Sequence, residues 1–297
     1  MTEIISFLIH GSIVRSKIDE YSDRDCVIIS NEPIENIGLY HKLKDRNWSC
    51  SIYSTNKFSH LTKTKSLFVK HLKDESVVIF DKENFFGNLI QSYTPKDNYK
   101  DELDENFEIL KHFLTIPKLP DYKFFLDVFY VVFRNALIFI QNPTTVNFSY
   151  QECIQMLHLQ NKISKEELDE LSSLRVCKYL YRTNISDEAT NNKYTPDYLK
   201  SLLNTFNRIF SLNHSISTID KETAQKVYNK LAFSPSNSSY IRLRAFEYLF
   251  NFHRASLIEQ GIPVELLAKA IAEPANFKRS FFTQIDFAYN ADFFFSY

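Results

Sequence analysis

Residues 10–25 read HGSIVRSKIDEYSDRD and lie between two short apolar runs. These runs, at residues 4–9 and 26–29, are typical of buried β-strands. Gly11 directly follows the first run, where glycine lets the backbone turn sharply and approach a phosphate. The amides of a helix that follows would point at the phosphate oxygens. The stretch therefore predicts a strand, a tight turn, a short helix and a second strand that share one site.

Two carboxylates begin the second of these strands. Asp23 and Asp25 lie two residues apart, so an extended backbone places both side chains on the same face. Paired carboxylates can hold one or two Mg²⁺ or Mn²⁺ ions against a triphosphate. We therefore expect Asp23 and Asp25 to be metal ligands and catalytic residues for nucleotidyl transfer.

The order of these elements resembles the DNA polymerase β-like nucleotidyltransferase superfamily, whose members share a strand, a Gly-Ser pair, about ten residues and a D-x-D motif at the next strand. The resemblance covers about the first 100 residues. It implies a metal-dependent enzyme that binds a nucleoside triphosphate at Gly11, Ser12, Arg15 and Ser22.

The sequence departs from the superfamily on its third predicted strand, residues 48–53. The superfamily generally has a third carboxylate there, whereas the best-matching position here is Ser49. The third carboxylate normally helps to hold the metal that activates the attacking hydroxyl. Either Asp19, Asp74 or Glu75 substitutes for it, or the reaction is slower, or the protein only binds nucleotide.

Composition is compatible with a cytoplasmic protein. The 297 residues carry a net charge of -1, so any contact with a polynucleotide requires a local basic groove. The four cysteines show no zinc-binding spacing, and reduced core thiols are expected. Asp127 and Arg134 interrupt the longest apolar segment, residues 124–140, which therefore predicts a buried helix and not a membrane span.

The fold class predicted is α+β. A nucleotidyltransferase domain with a small mixed sheet is expected at residues 1–95, an all-helical domain at 96–285 and an aromatic tail at 286–297. Helices are predicted at residues 33–47, 101–116, 122–141, 149–160, 164–181, 196–212, 221–233, 239–260 and 263–272.

Basic residues on two predicted helices could contact phosphates. The segment SLFVKHLKDE, residues 66–75, is similar to a helix in bacterial members of the superfamily, and either His71 or Lys73 could face the site. Further along, Arg175, Lys178 and Arg182 fall at i, i+3 and i+7, which places them on one helix face. This basic face either binds phosphates or is a stripe exposed to solvent. Helical domains of related enzymes close the active-site cleft, so this face is expected to bind the β- and γ-phosphates.

Arginines and aromatic residues alternate near the C-terminal end of the chain. Arg242, Arg244 and Arg254 lie among tyrosines and phenylalanines, as do Lys278 and Arg279. Such groups can stack bases and track a single strand, but core packing explains most aromatic residues in a chain with 27 Phe and 17 Tyr.

The last eleven residues contain four phenylalanines and end in Tyr297. The aromatic tail either fills a groove of the protein or presents the Tyr297 hydroxyl to the active site. This combination of features is similar to the nucleotidyltransferases of the Hailong anti-phage defence systems. That resemblance implies template-independent synthesis of a single-stranded DNA oligomer from deoxy-ATP, primed on catalytic Tyr297, and a membrane ion channel as effector partner.

Two further functions are compatible with the sequence. An antitoxin-like nucleotidyltransferase would modify a partner protein, although such enzymes are usually much shorter. A nucleotide-binding pseudoenzyme would explain Ser49.

Overall fold

The computed structural model describes part of the chain, and every structural statement below concerns that part. The described residues are 3–15, 21–31, 38–46, 48–117, 122–183, 194–234, 236–238 and 240–249.

A four-stranded mixed sheet forms from the apolar runs near the N-terminus, in the order β3-β2-β1-β4. The strands are β1 (Ile4–His10), β2 (Arg24–Ser30), β3 (Trp48–Ser54) and β4 (Ser76–Asp81). Strand β1 pairs antiparallel with β2 and β4, whereas β2 pairs in parallel with β3. The α+β class and the mixed sheet are therefore confirmed.

Helices α2 (Thr55–Lys63), α3 (Leu67–Glu75) and α4 (Phe85–Ser92) pack on one face of this sheet. Their buried side chains form a core with Leu8, Val27 and Ile29. Alternate residues of a strand share a face, so Asp25, two residues before Val27, lies on the same face as the core side chains. The core therefore fixes the face on which Asp25 lies.

Helix α1 (Gly38–Lys44) contacts β3 and is the described portion of the helix predicted at 33–47. Gly11–Ile13 form one 3-10 turn, and the rest of the short helix predicted there falls at residues 16–20, outside the described residues. Asp19, one of the three carboxylates that could replace the missing one, also falls outside them.

The longer helices follow the sequence prediction closely. They are α5 (Lys100–His112), α6 (Lys123–Phe139), α7 (Tyr150–Leu159), α8 (Lys165–Arg182), α9 (Pro196–Phe210) and α10 (Lys221–Phe233), and residues 240–249 are also helical. Capping explains where several begin. The Ser164 hydroxyl accepts from the Glu167 amide, and the Glu167 carboxylate accepts from the Ser164 amide. None of the helices described has both the length and the apolar character needed to cross a bilayer.

Two short strands lie in the region that was predicted to be entirely helical. Strand β5 (Thr115–Pro117) pairs in parallel with β6 (Ser217–Ile219). The predicted helix 101–116 therefore ends earlier, at His112. A strand of three residues is too short to show alternation, and its partner is about a hundred residues away, so the sequence pattern did not reveal the pair.

The chain divides into two compact units, each built from two stretches of sequence. The first comprises residues 1–104 and 133–183, and the second comprises 105–132 and the residues described after 183. These divisions fall within α5 and α6, whereas the sequence predicted a boundary after residue 95. Because α8 belongs to the first unit, its basic residues and the D-x-D motif lie in the same unit.

Candidate active site

Gly11 and Asp25 meet where strands β1 and β2 join the Gly-Ser turn. Gly11 has a φ of +78°, a conformation that side chains other than glycine's rarely adopt. A Cβ atom at this position would lie 3.2 Å from Asp25 Oδ2, closer than ordinary van der Waals contact. The glycine is thus required for both the turn and the approach of the Asp25 carboxylate to the backbone.

The basic face predicted on α8 lies against the D-x-D motif. Lys178 Nζ forms an ion pair with Asp23 Oδ2. Arg175 donates a 2.8 Å hydrogen bond to the Ser22 hydroxyl. The charge of Arg182 also acts on Asp23. The structure therefore brings together three basic residues and two motif residues that lie about 150 positions apart in the sequence.

The two carboxylates differ in their electrostatic environments. Burial would raise the pKa of Asp23, but Lys178, Arg182 and Arg175 outweigh it and lower that pKa below 3.8. For Asp25, burial and the negative charge of Asp23 raise the pKa above 3.8. Asp23 is thus neutralised by a neighbouring cation, whereas Asp25 is short of positive charge.

Ser49 is the residue at which the resemblance led us to expect a third carboxylate. It is the register partner of Asp25 on the parallel strand β3, and its hydroxyl acts to lower the pKa of Asp25. Asp74 and Glu75, which were expected as possible substitutes for that carboxylate, have cationic partners of their own. Asp74 pairs with Lys70, and Glu75 accepts from Arg15 Nη1 at 2.6 Å.

The remaining predicted binding residues divide into two groups. The Ser12 hydroxyl donates to the Asp23 carbonyl oxygen at 3.4 Å, so Ser12 is part of the site. Lys73 is not, because its ammonium donates to the Tyr93 carbonyl oxygen at 3.2 Å and lies 5.9 Å from the centre of the Tyr93 ring. The predicted phosphate contact of Lys73 is therefore not supported by its position.

His71 instead contacts a second histidine, His10, which lies at the site. Its ring lies 5.3 Å from that of His10, which is the register partner of Asp25. Burial lowers the pKa of His10 to about 4, and the charges of His71 and Arg134 act in the same direction. Within the described part of the chain, His10 Nδ1 has no hydrogen-bond partner.

Arg134 on α6 is a site residue that the sequence analysis missed. Its charge lowers the pKa of both Asp25 and His10. The available signal was the one arginine of a largely apolar helix, since a charged side chain is costly to bury without a partner.

Two other predictions concern the C-terminal region. Tyr297 and the 286–297 tail lie outside the described residues, as do Arg254, Lys278 and Arg279. Arg244 is buried and donates to Asp127 Oδ2 at 2.6 Å, so it stabilises the interior of the second unit and is not available to nucleic acid.

The oxygen ligands of the site suit a hard divalent cation. Asp23 and Asp25 supply carboxylate oxygens, which Mg²⁺ and Mn²⁺ prefer. Burial and the charge of Asp23 raise the pKa of Asp25, and a bound cation would offset both effects. Across the described ranges, no group of three or more His, Cys, Asp or Glu side chains is arranged to hold a metal ion. No protein-family model matches the chain, and neither does any curated protein.

Proposed function

We propose that the chain is a metal-dependent nucleotidyltransferase that uses a nucleoside triphosphate, with deoxy-ATP as the expected substrate. One observation carries the proposal: the carboxylate pair Asp23 and Asp25 adjoins both the Gly11 turn and a basic helix face. Carboxylates that hold a metal, a backbone open to a phosphate and cations for the triphosphate are what this reaction needs.

The reaction joins an acceptor hydroxyl oxygen to the α-phosphorus and releases pyrophosphate. Asp23 and Asp25 would hold Mg²⁺ or Mn²⁺, which neutralises charge on the phosphates when bound. Without a metal, Lys178 provides the cation beside Asp23. When the metal is bound, Lys178 would contact a phosphate oxygen, and Arg175 lies one helical turn away on the same face.

A more specific proposal, for the acceptor and the product, follows the resemblance to the Hailong enzymes. The acceptor is then the Tyr297 hydroxyl, and repeated transfer produces a single-stranded DNA oligomer that acts on a membrane ion channel in anti-phage defence. Holding the first acceptor covalently removes the entropy cost of capturing a second substrate.

A second function is supported by Ser49. A hydroxyl next to Asp25 brings no charge, so the metal that activates an acceptor would be held weakly while nucleotide binding persists. The protein would then bind nucleotide without transferring it.

Labelled nucleotides test these proposals directly. Purified protein is incubated with each labelled ribo- or deoxyribonucleoside triphosphate and Mg²⁺ or Mn²⁺, beside Asp23→Asn and Asp25→Asn variants. We expect metal-dependent incorporation, with a loss on the order of 10²-fold or more in each variant. Incorporation that is unchanged in both variants would place the chemistry elsewhere. Metal-dependent binding without incorporation would favour the pseudoenzyme.

A further inference from the structure

A cavity of about 410 Å³ lies in the first unit, between α3, α6 and the residues around Tyr99 and Phe148. This volume falls within the range of small-molecule sites. Aromatic residues that include Phe68, Tyr99 and Phe148 line it, together with the polar side chains of Arg134 and Asn135. Aromatic rings interspersed with polar and charged side chains suit a planar heterocycle better than an aliphatic ligand.

Two residues connect this cavity to the D-x-D motif. His71 lines the cavity, stacks on Phe148 with ring centres 4.5 Å apart, and contacts His10 next to Asp25. Arg134 also lines the cavity, and its charge reaches Asp25. The cavity wall is therefore linked to the carboxylate pair through the contact of His71 with His10.

The opposite chemistry is found around Asp23. There the neighbours are the cations of α8, Lys178 and Arg175, which suit a triphosphate. The carboxylate pair thus has phosphate-binding groups beside Asp23 and an aromatic cavity reached through the neighbours of Asp25. A nucleotide has the same division into a polyanionic part and a planar part.

Asn135 is suited to read the edge of a base. Within the described part of the chain, its side chain makes no hydrogen bond, so both its donor and its acceptor are available to a ligand. A carboxamide can bond to N6 and N7 of adenine at the same time, and such a pair discriminates against other bases. Guanine presents O6 in place of the N6 donor, which leaves the amide oxygen without a partner.

We propose that this cavity binds a nucleobase, with Asn135 selecting adenine. This inference rests on the proposed function for the same site. The base could belong to the incoming nucleoside triphosphate or to the end of the growing acceptor chain. The cavity supplies the same stacking and hydrogen bonding to either one.

Binding measurements separate these sources without requiring turnover. The ligands are a non-hydrolysable deoxy-ATP analogue with Mg²⁺, the matching deoxy-GTP analogue, a short oligodeoxyadenylate and inorganic tripolyphosphate. Asn135→Leu keeps the size of the side chain and removes its hydrogen bonds. Asn88→Leu is the matched control, because Asn88 lines a different cavity of the same unit.

We expect Asn135→Leu to weaken binding of the deoxy-ATP analogue or of the oligodeoxyadenylate about tenfold or more. The ligand that is weakened identifies the source of the base. Binding of the deoxy-GTP analogue and of tripolyphosphate should change little, and Asn88→Leu should change none of the four. Equal affinities of wild type and Asn135→Leu for both adenine ligands would overturn the cavity proposal.

Failure of the proposed function gives a different result. If tripolyphosphate binding requires Asp23 but Asn135→Leu changes no affinity, the cavity proposal alone is wrong. If adenine ligands bind through Asn135 while no nucleotide is ever incorporated, the cavity proposal holds and the transferase proposal fails. If no ligand binds to the wild type, both fail.

Discussion

Ser49 lies directly beside Asp25 on the neighbouring parallel strand, where its hydroxyl acts to lower the pKa of the Asp25 carboxyl against the larger effect of burial. A carboxylate at this position would face the same metal as Asp25, but the hydroxyl brings no charge. The two residues also share the sheet face that carries the core side chains, so the geometry for a third carboxylate is present although the carboxylate is not.

Ser49→Asp should therefore increase the affinity for Mn²⁺ and the rate of any nucleotide incorporation. Without metal it should lower the thermal unfolding midpoint, because a second carboxylate beside Asp25 adds repulsion. Ser49→Asn is the matched neutral variant and should do neither. Titration calorimetry with Mn²⁺ and thermal melts test this. Equal Mn²⁺ affinities in the aspartate and asparagine variants would show that the residue at position 49 does not reach the metal.

Asp23 and Asp25 should respond oppositely to neutralisation in the absence of metal. The folded pKa of Asp23 is lowered, so this carboxylate stabilises the fold above its unfolded pKa, and that stability is lost as pH falls through the folded value. The folded pKa of Asp25 is raised, so its ionisation reduces stability as pH rises through the folded value.

At neutral pH we thus expect Asp23→Asn to lower the free energy of unfolding by about 1 kcal/mol, because Lys178 loses its partner. Asp25→Asn should raise it, and the gain should shrink as the pH approaches 4, about the unfolded pKa of an aspartate. Urea unfolding at several pH values, in chelator, measures both. Changes of the same sign in the two variants would contradict the assigned environments.

Lys178→Met should weaken triphosphate binding, because it removes the cation beside Asp23 while keeping much of the aliphatic stem. A loss of about tenfold in affinity is expected for one charge-assisted contact. Lys165→Met on the same helix is the control, since Lys165 is exposed and pairs with exposed Asp169. Binding of tripolyphosphate with Mg²⁺ can be followed by calorimetry. A similar affinity in both variants would exclude a phosphate-binding role for Lys178.

Gly11→Ala should impair both folding and metal binding. Its φ of +78° costs a residue with a side chain about 1 kcal/mol or more, and the new methyl group would press on the Asp25 carboxylate. We expect a lower unfolding midpoint and weaker Mn²⁺ binding by the protein that remains folded. In the double variant Gly11→Ala/Asp25→Asn, the added methyl group still presses on the side chain at position 25. Adding Asp25→Asn to Gly11→Ala should therefore raise stability by no more than Asp25→Asn does in the wild type. A single variant with wild-type stability and metal affinity would show that the turn tolerates a side chain.

Tyr297→Phe tests the priming proposal, which rests on sequence because Tyr297 lies outside the described residues. The substitution keeps the ring and removes the phenol oxygen that would accept the first nucleotide. Intact-mass measurement after incubation with deoxy-ATP should show a ladder of deoxyadenylate units on the wild-type C-terminal peptide and none on the variant. Normal oligomer synthesis by the variant, with no adduct on the wild-type tail, would leave the tail a structural role only.

Local patterns in the sequence were sufficient for most of the fold. Alternating or continuous apolar runs predicted strands β1, β2 and β3 of the first sheet, and three- and four-residue spacing predicted the long helices. The Gly-Ser and D-x-D motifs located the candidate site, because a turn with positive φ and two carboxylates on one face depend on neighbours in the chain.

Contacts between distant segments were decided only by the tertiary structure. Sequence spacing could not predict three contacts of this kind: the ion pair of Lys178 with Asp23, the effect of the Arg134 charge on Asp25, and the hydrogen bond from Lys73 to the Tyr93 carbonyl oxygen. The pairing of β5 with β6 across about a hundred residues is a further case. Sequence periodicity shows which face of an element is apolar, but it does not show which other element that face will meet. The partner depends on how all the elements pack together, and in this protein that packing determines which cations surround the carboxylates.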